Sequence, residues 1–220
     1  MDLDQFSPVA QDYLKVIWSA GEWDEPPITT TGLATRFATT AANVSATLRR
    51  LQAQGLVDYQ PYRPATLTPL GRRLAIAMVR RHRLLETFLA HTLGYAWDEV
   101  HDEAERLEHA VTEVFLARID ELLGHPLMDP HGDPIPGPDG TLDPMAATAD
   151  LTKVPPGDYV VARVADTDSQ LLAGLAGVGL RPGVEVTMTA DGRIRLVAGD
   201  PVSLGTVQLG AVRVYLSRPD

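Results

Sequence analysis

The N-terminal part of the chain places apolar side chains at the spacing of α-helices, and turn residues separate the helical stretches. This pattern predicts helices over residues 8–20, 30–37 and 41–54, with Thr30 or Thr31 as the N-cap of the second helix. A helix, a short turn and a further helix in this order indicate a helix-turn-helix motif.

After the third helix the pattern changes to a short hairpin and then to a long helix. Residues 56–60 and 65–67 are expected to pair as strands around a proline-containing turn, which would form a wing after the helix-turn-helix. Helical spacing follows over residues 69–91 and again over residues 98–123, with a break near His109.

The last third of the chain has the alternating pattern of β-strands. Residues 124–144 are rich in proline and glycine, so we expect a linker or a stiff irregular loop there. Beyond Leu151, short alternating stretches separated by glycine-rich turns are typical of a small barrel. The predicted strands cover residues 159–164, 184–188, 194–197 and 212–216.

The composition limits the class of protein and the kinds of site. With 220 residues, of which 45% are hydrophobic and 22% charged, the chain is expected to fold into one large domain or into two or three small ones. The absence of cysteine excludes disulfides, thiolate metal sites and thiol catalysis. No targeting segment and no apolar run of membrane-spanning length is recognised, so we expect a cytoplasmic protein without a membrane partner.

Positive charge is concentrated in one segment, although the whole chain has a net charge of -10. Residues 30–85 contain nine arginines and a single acidic residue, Asp58, so this segment carries +8. Together with the helix-turn-helix and the wing, this charge favours binding to double-stranded DNA, and a solvated basic surface without a partner is the alternative. Asn43 can pair with adenine edges, whereas threonine, serine and arginine side chains of this segment can bind phosphates. The residues predicted to contact DNA are Thr40, Asn43, Ser45, Arg50 and Arg63.

Histidines and carboxylates cluster on the helix predicted over residues 98–123. Spacings of i, i+4, i+7 and i+8 place four of them on one stripe, namely His101, Glu105, Glu108 and His109. His82 and Glu86 repeat the i, i+4 spacing on the preceding helix, and Asp12 lies on the first helix. A divalent metal ion requires convergent oxygen and nitrogen ligands of this type, and a hydrated acidic surface is the alternative.

Histidine and glutamate on helices are also found in metal-dependent hydrolases, which makes an enzyme the alternative function. The string from His82 to Glu86 lacks the second histidine of the HExxH motif, and the chain contains neither GxSxG nor a Walker-type phosphate loop. The sequence therefore favours a protein that is not an enzyme.

Several strings of the sequence resemble the diphtheria-toxin-repressor family of iron- and manganese-dependent bacterial transcriptional regulators. The most specific are DYL at residues 12–14, RHRLLE at 81–86, HDEAERLEH at 101–109 and PHGDPIP at 130–136. The string LRPG at residues 180–183, with the strands around it, is similar to the SH3-like domain of longer family members. The similarity covers nearly the full length of the chain.

The resemblance implies an α+β protein with three domains. These are an N-terminal winged helix-turn-helix over residues 1–72, an all-helical metal-binding and dimerisation domain over residues 73–145, and a C-terminal SH3-like β-barrel over residues 146–220. It also implies a homodimer that binds a palindromic operator when metal is bound and that controls metal-homeostasis genes. A metal ion that joins the first helix to the dimerisation domain would hold the two recognition helices near one turn of DNA apart.

The resemblance also assigns roles to the metal-binding candidates. The family's principal site corresponds to Asp12, Glu105, Glu108 and His109. Its second site corresponds to His82, Glu86 and His101. The loop and the SH3-like domain offer further ligands for the second site, of which His131 and Asp168 are predicted here, while Asp129, Asp166 and Gln170 are also available. For His131, bracing a turn is the alternative role.

Glu105 and Asp12 stand where iron-responsive members of the family have cysteine and methionine. Because carboxylates favour harder ions than sulfur ligands do, the resemblance indicates a sensor of Mn(II), with Fe(II) also admissible. Lys15 stands where a subset of two-domain manganese regulators has a glutamate, and a protonated lysine cannot bind a metal ion. A site similar to that of the three-domain manganese regulators is therefore expected.

Overall fold

The chain divides into two compact units. The computed structural model describes residues 3–23, 26–142, 147–166, 168–196 and 202–216. The first unit consists of Met1–Arg81 with Pro136–Thr141, and the second consists of His82–Ile135 with Leu142–Asp220. Residues 143, 144 and 197, which the sequence assigns to the loop and to a strand, lie outside the described residues.

After a short 3-10 helix over Leu3–Gln5, three α-helices follow in the first unit, each preceded by a hydroxyl-bearing N-cap. They are α1 (Pro8–Ser19), α2 (Thr30–Arg36) and α3 (Ala41–Ala53), close to the predicted bounds. The predicted cap of α2 is wrong, since Thr29 rather than Thr30 or Thr31 has this role. The Oγ1 atom of Thr29 accepts a hydrogen bond from the backbone N–H of Gly32 at 3.0 Å, which satisfies a donor of the first helical turn.

The apolar face of α3 lies in the core of the first unit, as its spacing predicts. Val44, Leu48 and Leu51 are buried. A wing follows, made of the short antiparallel strands β1 (Val57–Asp58) and β2 (Thr66–Leu67). The two strands are shorter than predicted because two prolines of the connection lack the N–H that a ladder requires.

The long helix α4 (Pro69–His91) has the predicted bounds and passes from the first unit into the second after Arg81. The predicted break near His109 is also present, since α5 (Val100–Leu107) and α6 (Glu113–Leu122) are separate helices. Glu108 is the C-cap of α5, and His109 lies in the turn that follows. The expectation of a single helical stripe of four ligands is therefore wrong for its last two members.

The remainder of the second unit is a sheet with two short helices. The strands are β3 (Thr148–Asp150), β4 (Gly157–Val164), β5 (Glu185–Met188), β6 (Ile194–Leu196) and β7 (Val212–Tyr215). Among the described residues, these five form an antiparallel sheet in the order β3-β7-β4-β5-β6. The helices α7 (Ser169–Gly177) and α8 (Thr206–Gly210), like β3, are not predicted by the pattern.

Trp97, in the connection between α4 and α5, joins the helices to the sheet within the second unit. Its ring lies in the same apolar core as Leu151, Leu180 and Val212. Its Nε1–H donates a hydrogen bond to the carbonyl oxygen of Pro130 at 2.8 Å. This shared core explains why helices and sheet form one unit, and the domain boundaries at residues 72 and 145 stay predictions.

The predicted α+β fold class is confirmed, with helices and a wing in the first unit and helices with an antiparallel sheet in the second. In the part of the chain that the structure describes, no helix combines the length and the apolar character that crossing a membrane requires.

Candidate metal centre and nucleic-acid interface

Four side chains from separate segments meet inside the second unit. His82 and Glu86 lie one turn apart on α4, His101 lies on α5, and Asp166 follows β4. One ligand atom from each of the four lies within 4.8 Å of the others. We call this set the His82–Asp166 cluster.

The Oε1 atom of Glu86 lies at the middle of the His82–Asp166 cluster. It is 3.0 Å from Nε2 of His82 and 3.1 Å from Nδ1 of His101. The Oδ2 atom of Asp166 lies 3.4 Å from the same Nδ1. Ligand atoms about 2.1 Å from one ion are about 3 to 4.2 Å apart, so these separations fit a single cation.

The hydrogen bonds around the cluster also fit a metal ion. A metal-binding histidine usually donates its second ring N–H to a carboxylate or a carbonyl group, and Nδ1 of His82 lies 2.7 Å from Oε2 of Glu108. This contact leaves Nε2 of His82 facing Glu86. Two imidazoles and two carboxylates, without sulfur, suit Mn(II) and Fe(II).

The charges of the His82–Asp166 cluster shift its pKa values strongly. Burial disfavours the imidazolium of His101, but hydrogen bonds, above all with Asp166, outweigh burial and raise the pKa of His101 to about 12. Burial likewise raises the pKa of Asp166, but the hydrogen bond with His101 outweighs it and holds that pKa below its ordinary value. The proton on His101 therefore offsets carboxylate charge in the metal-free protein, and a cation would take its place.

The residues predicted for the principal site lie in both units. Within the second unit, Oε1 of Glu105 is 3.5 Å from Nε2 of His101, and Nε2 of His109 is 3.7 Å from Oε1 of Glu108. Glu108 is buried, whereas Glu105 and His109 are partly exposed. Asp12 belongs to the first unit, where it lies half-buried on α1.

His131 lies fully buried in the proline-rich loop, on the other side of Glu86. Its Nε2 lies 3.0 Å from the carbonyl oxygen of Trp97, to which it donates, and its Nδ1 lies 3.9 Å from Oε2 of Glu86. The backbone carbonyl of His131 also accepts a hydrogen bond from Val164 of β4 at 2.9 Å. The loop thus brings an imidazole to the carboxylate that the His82–Asp166 cluster shares.

The structure does not bring Asp168 to the cluster. Asp168 is exposed and is the N-cap of α7, where its Oδ1 accepts hydrogen bonds from the backbone N–H groups of Gln170 and Leu171 at 3.0 Å each. Asp166 lies where the sequence assigns Asp168. The available signal is the position of Asp166 directly after the alternating pattern of β4, ahead of an aspartate that caps a helix.

A buried ion-pair network supports the loop that carries His131, and sequence reasoning gives it no role. Nη2 of Arg83 lies 3.2 Å from Oδ2 of Asp133, and Nη1 of Arg83 donates to the carbonyl oxygen of Pro134 at 2.8 Å. The guanidinium of Arg163, on β4, pairs with the other carboxylate oxygen of Asp133. Both arginines belong to the second unit. Arg83 lies within one of the strings that carry the family resemblance, whereas Arg163 lies in none of them.

In the first unit, the predicted DNA-contacting residues occupy the start of α3 and the wing. Thr40 is the N-cap of α3 and accepts from the backbone N–H of Asn43 at 3.2 Å. Ser45 is half-buried and accepts a hydrogen bond from the hydroxyl of Tyr59 at 3.1 Å. Thr40 and Asn43, by contrast, are exposed.

The two predicted arginines are exposed, Arg50 on α3 and Arg63 in the wing. Arg63 lines a groove between α3 and the wing, together with Ser45, Arg49 and Tyr62. Arg49 and Tyr62 are exposed and are not among the residues that the sequence predicts, although Arg49 stands one turn after Ser45 on the same helix. The first unit therefore presents a groove with arginine side chains and hydroxyl groups beside α3, the second helix of the helix-turn-helix.

The fold and these two sites define a class of protein. A winged helix-turn-helix with exposed arginines, in one chain with a centre of imidazoles and carboxylates, is typical of a metal-responsive DNA-binding regulator. The chain belongs to the iron-dependent repressor family. Residues 5–65 match its N-terminal DNA-binding domain, and residues 68–137 match its metal-binding and dimerisation domain.

The similarity to proteins of known function extends over most of the chain. The iron-dependent repressor IdeR of Mycobacterium leprae is 34% identical over 188 residues, which cover 80% of this chain and 81% of the relative. The diphtheria toxin repressor of Corynebacterium glutamicum is 32% identical over 215 residues, which cover 92% of this chain and 93% of the relative. A solved manganese-dependent transcriptional repressor in complex with manganese is 47% identical, with a TM-score of 0.86, and the match covers 93% of this chain and 98% of that one.

These comparisons confirm the predicted family and its partners, DNA and a second copy of the chain. They also confirm that the protein is not an enzyme, because the family consists of DNA-binding repressors. The hydrolase alternative has no support among them.

Proposed function

We propose that the protein represses transcription by binding a palindromic operator as a dimer when Mn(II) is bound, and that Fe(II) is a second admissible activator. The observation that carries this proposal is the convergence of His82, Glu86, His101 and Asp166 on one point. The donor set contains imidazoles and carboxylates only, which suits both ions. A 47% identical relative is described as manganese-dependent, which supports the same choice.

The proposal assigns one ion to the His82–Asp166 cluster, with Asp166 in the role predicted for Asp168. It assigns a second ion to Glu105, Glu108 and His109 together with Asp12, and the part of Asp12 stays a prediction from the sequence. In both places the ion supplies the positive charge that clustered carboxylates require. Glu108 orients the ring of His82, because its carboxylate contacts Nδ1, the ring nitrogen that faces away from the cluster.

On the DNA side, we propose that α3 enters the major groove and that the wing contacts the backbone. Asn43 is exposed for a contact with a base edge, and Arg50, Arg63 and Thr40 are exposed for contacts with phosphates. A dimer with two such helices requires half-sites about one helical turn apart, which accounts for a palindromic operator. A regulator that reads chromosomal DNA acts in the cytoplasm, which is the proposed location, and metal-homeostasis genes are the proposed targets.

The experiment is a titration of operator DNA against the full-length protein with and without Mn(II). A palindromic duplex selected from a random pool in the presence of Mn(II) serves as the probe, and fluorescence anisotropy measures binding. We expect binding to be tighter by 5- to 150-fold with Mn(II), which is the usual range of allosteric coupling, about 1 to 3 kcal/mol. Mg(II) is the control ion, and equal affinity with and without Mn(II) would overturn the proposal.

A further inference from the structure

Three buried polar atoms converge at the second carboxylate oxygen of Glu86, which its contacts in the His82–Asp166 cluster do not use. They are Oε2 of Glu86, Nδ1 of His131 and Oδ2 of Asp129, and none has a hydrogen-bond partner among the described residues. One ligand atom from each of these residues lies within 4.8 Å of the other two. Because an unpaired buried polar atom costs free energy, three that face one another require an explanation.

We propose that Glu86, Asp129 and His131 hold an additional divalent cation, Mn(II) in this protein, and that the Glu86 carboxylate bridges it to the ion in the His82–Asp166 cluster. The inference rests on the proposed function in so far as the chain binds Mn(II). It adds a site to the two that the proposed function contains.

The carboxylate of Glu86 is placed to bridge. Its Oε1 contacts His82 and His101 at 3.0 and 3.1 Å, while its Oε2 faces Nδ1 of His131 at 3.9 Å. A separation of 3.9 Å is too long for a hydrogen bond, but it fits two ligands on one cation. Glu86 is completely buried, so bulk solvent does not satisfy its second oxygen.

The hydrogen bonds of His131 leave its Nδ1 available as a ligand. Its Nε2–H donates to the carbonyl oxygen of Trp97 at 3.0 Å, so in the neutral imidazole Nδ1 carries the lone pair. A backbone carbonyl that fixes the tautomer in this way is the usual partner of a metal-binding histidine. The contact with Trp97 by itself would brace the loop, but it does not explain why Nδ1 points toward Glu86.

Asp129 is oriented by its first carboxylate oxygen. Oδ1 accepts hydrogen bonds from the backbone N–H groups of His131 at 2.8 Å and Asp133 at 2.9 Å. These two bonds fix the carboxylate and leave Oδ2 directed at the other ligands. Arg83 lies 3.5 Å from Oδ2, but its closer partners are Asp133 and Pro134.

The pKa values of Asp129 and His131 are shifted as expected where a positive charge is missing. Burial raises the pKa of Asp129 well above its ordinary value, and the neighbouring carboxylates of Asp133 and Glu86 raise it further. Burial lowers the pKa of His131, but the Glu86 carboxylate outweighs this effect and raises the pKa to about 10. Protons thus supply in the metal-free protein the charge that a cation would supply on binding.

The test counts Mn(II) ions per chain after equilibrium dialysis of the full-length protein, by elemental analysis. Asp129→Asn keeps an acceptor for the two backbone N–H groups and removes the charged ligand, and His131→Phe keeps a ring beside Trp97. Each is expected to bind one ion fewer than the unchanged protein. Asp120→Asn is the matched control, because Asp120 is also a buried carboxylate with a histidine partner, His125, but lies in no ligand cluster.

A second measurement uses the unchanged protein and does not depend on the folding of any variant. Two Mn(II) ions joined by a carboxylate are magnetically coupled, so electron paramagnetic resonance of the saturated protein should show a coupled pair besides the signal of isolated ions. Asp129→Asn should lose the coupled component. A spectrum of isolated ions only, or an unchanged ion count in both variants, overturns the bridged site. The proposed function has a separate test, the operator titration. It fails if Mn(II) leaves the affinity for DNA unchanged, whatever number of ions the protein binds.

Discussion

Nδ1 of His82 lies 2.7 Å from Oε2 of Glu108, so the two metal-binding sets that the sequence separates are in direct contact. His82 belongs to the His82–Asp166 cluster, and Glu108 is predicted for the principal site. Mutation of a carboxylate that orients a metal-binding imidazole commonly lowers metal affinity by about 10- to 100-fold. Occupation of the principal site is therefore expected to alter the affinity of the His82–Asp166 cluster, because the same carboxylate serves both.

Replacing ligands of the principal site should remove the response to metal. Glu105→Ala and His109→Ala are each expected to abolish the increase in operator affinity on addition of Mn(II), because the ion loses a ligand. Both side chains are partly exposed, so the fold should persist, as circular dichroism can verify. Glu103→Ala is the control on the same helix, since Glu103 pairs with Arg106 rather than with a ligand. A full Mn(II) response in Glu105→Ala and His109→Ala would remove these residues from the site.

Replacing exposed arginines of the first unit should change the salt dependence of DNA binding. For Arg50→Ala and Arg63→Ala, we expect weaker binding and a slope of log affinity against log salt that is smaller by about one per lost phosphate contact. Arg49→Ala should behave in the same way if the groove between α3 and the wing follows the DNA backbone. Anisotropy titrations at several salt concentrations measure the slope. Arg193→Ala, which removes an exposed arginine of the second unit, should leave it unchanged.

The loop that carries His131 depends on a glycine. Gly132 has a φ of +85°, and a Cβ at this position would lie 2.1 Å from the carbonyl oxygen of Ala162. Gly132→Ala should therefore destabilise the protein by about 3 kcal/mol or more, through backbone strain and overpacking together. At Gly192, φ is +77° and nothing lies within 4 Å, so Gly192→Ala should cost only about 1 kcal/mol. Denaturant unfolding of both variants separates the two effects, and equal losses would contradict the close approach of Gly132 to β4.

Metal binding should release protons. The pKa of His101 is raised to about 12 in the metal-free protein, from an ordinary value near 6.5. This raised pKa stabilises the metal-free fold fully below about pH 6.5, and the contribution is lost as the pH rises toward 12. Because Mn(II) must displace the proton, its affinity should instead increase with pH. Calorimetry of Mn(II) binding in two buffers of different ionisation enthalpy should give different heats, and identical heats would show that no proton is released.

Local patterns in the sequence predict most of the elements correctly. The caps and apolar spacing of α1, α3 and α4 place these helices within a residue or two, because a helix is stabilised by contacts between near neighbours in the chain. The prediction fails for α7, whose small and apolar residues show no contrast between two faces. It also fails for β3, which is short and is defined by its pairing with β7.

The sequence alone determined the family, the fold class and the chemistry of the metal ligands, since residue types and their spacing along a helix are local properties. The tertiary structure decided which candidates meet. Asp166 rather than Asp168 joins the His82–Asp166 cluster, and Asp129 lies with His131 behind Glu86. These choices depend on how a proline-rich loop and the end of a strand pack against α4 and α5. Such contacts between distant segments follow from the packing of the whole unit, which spacing along the chain does not encode.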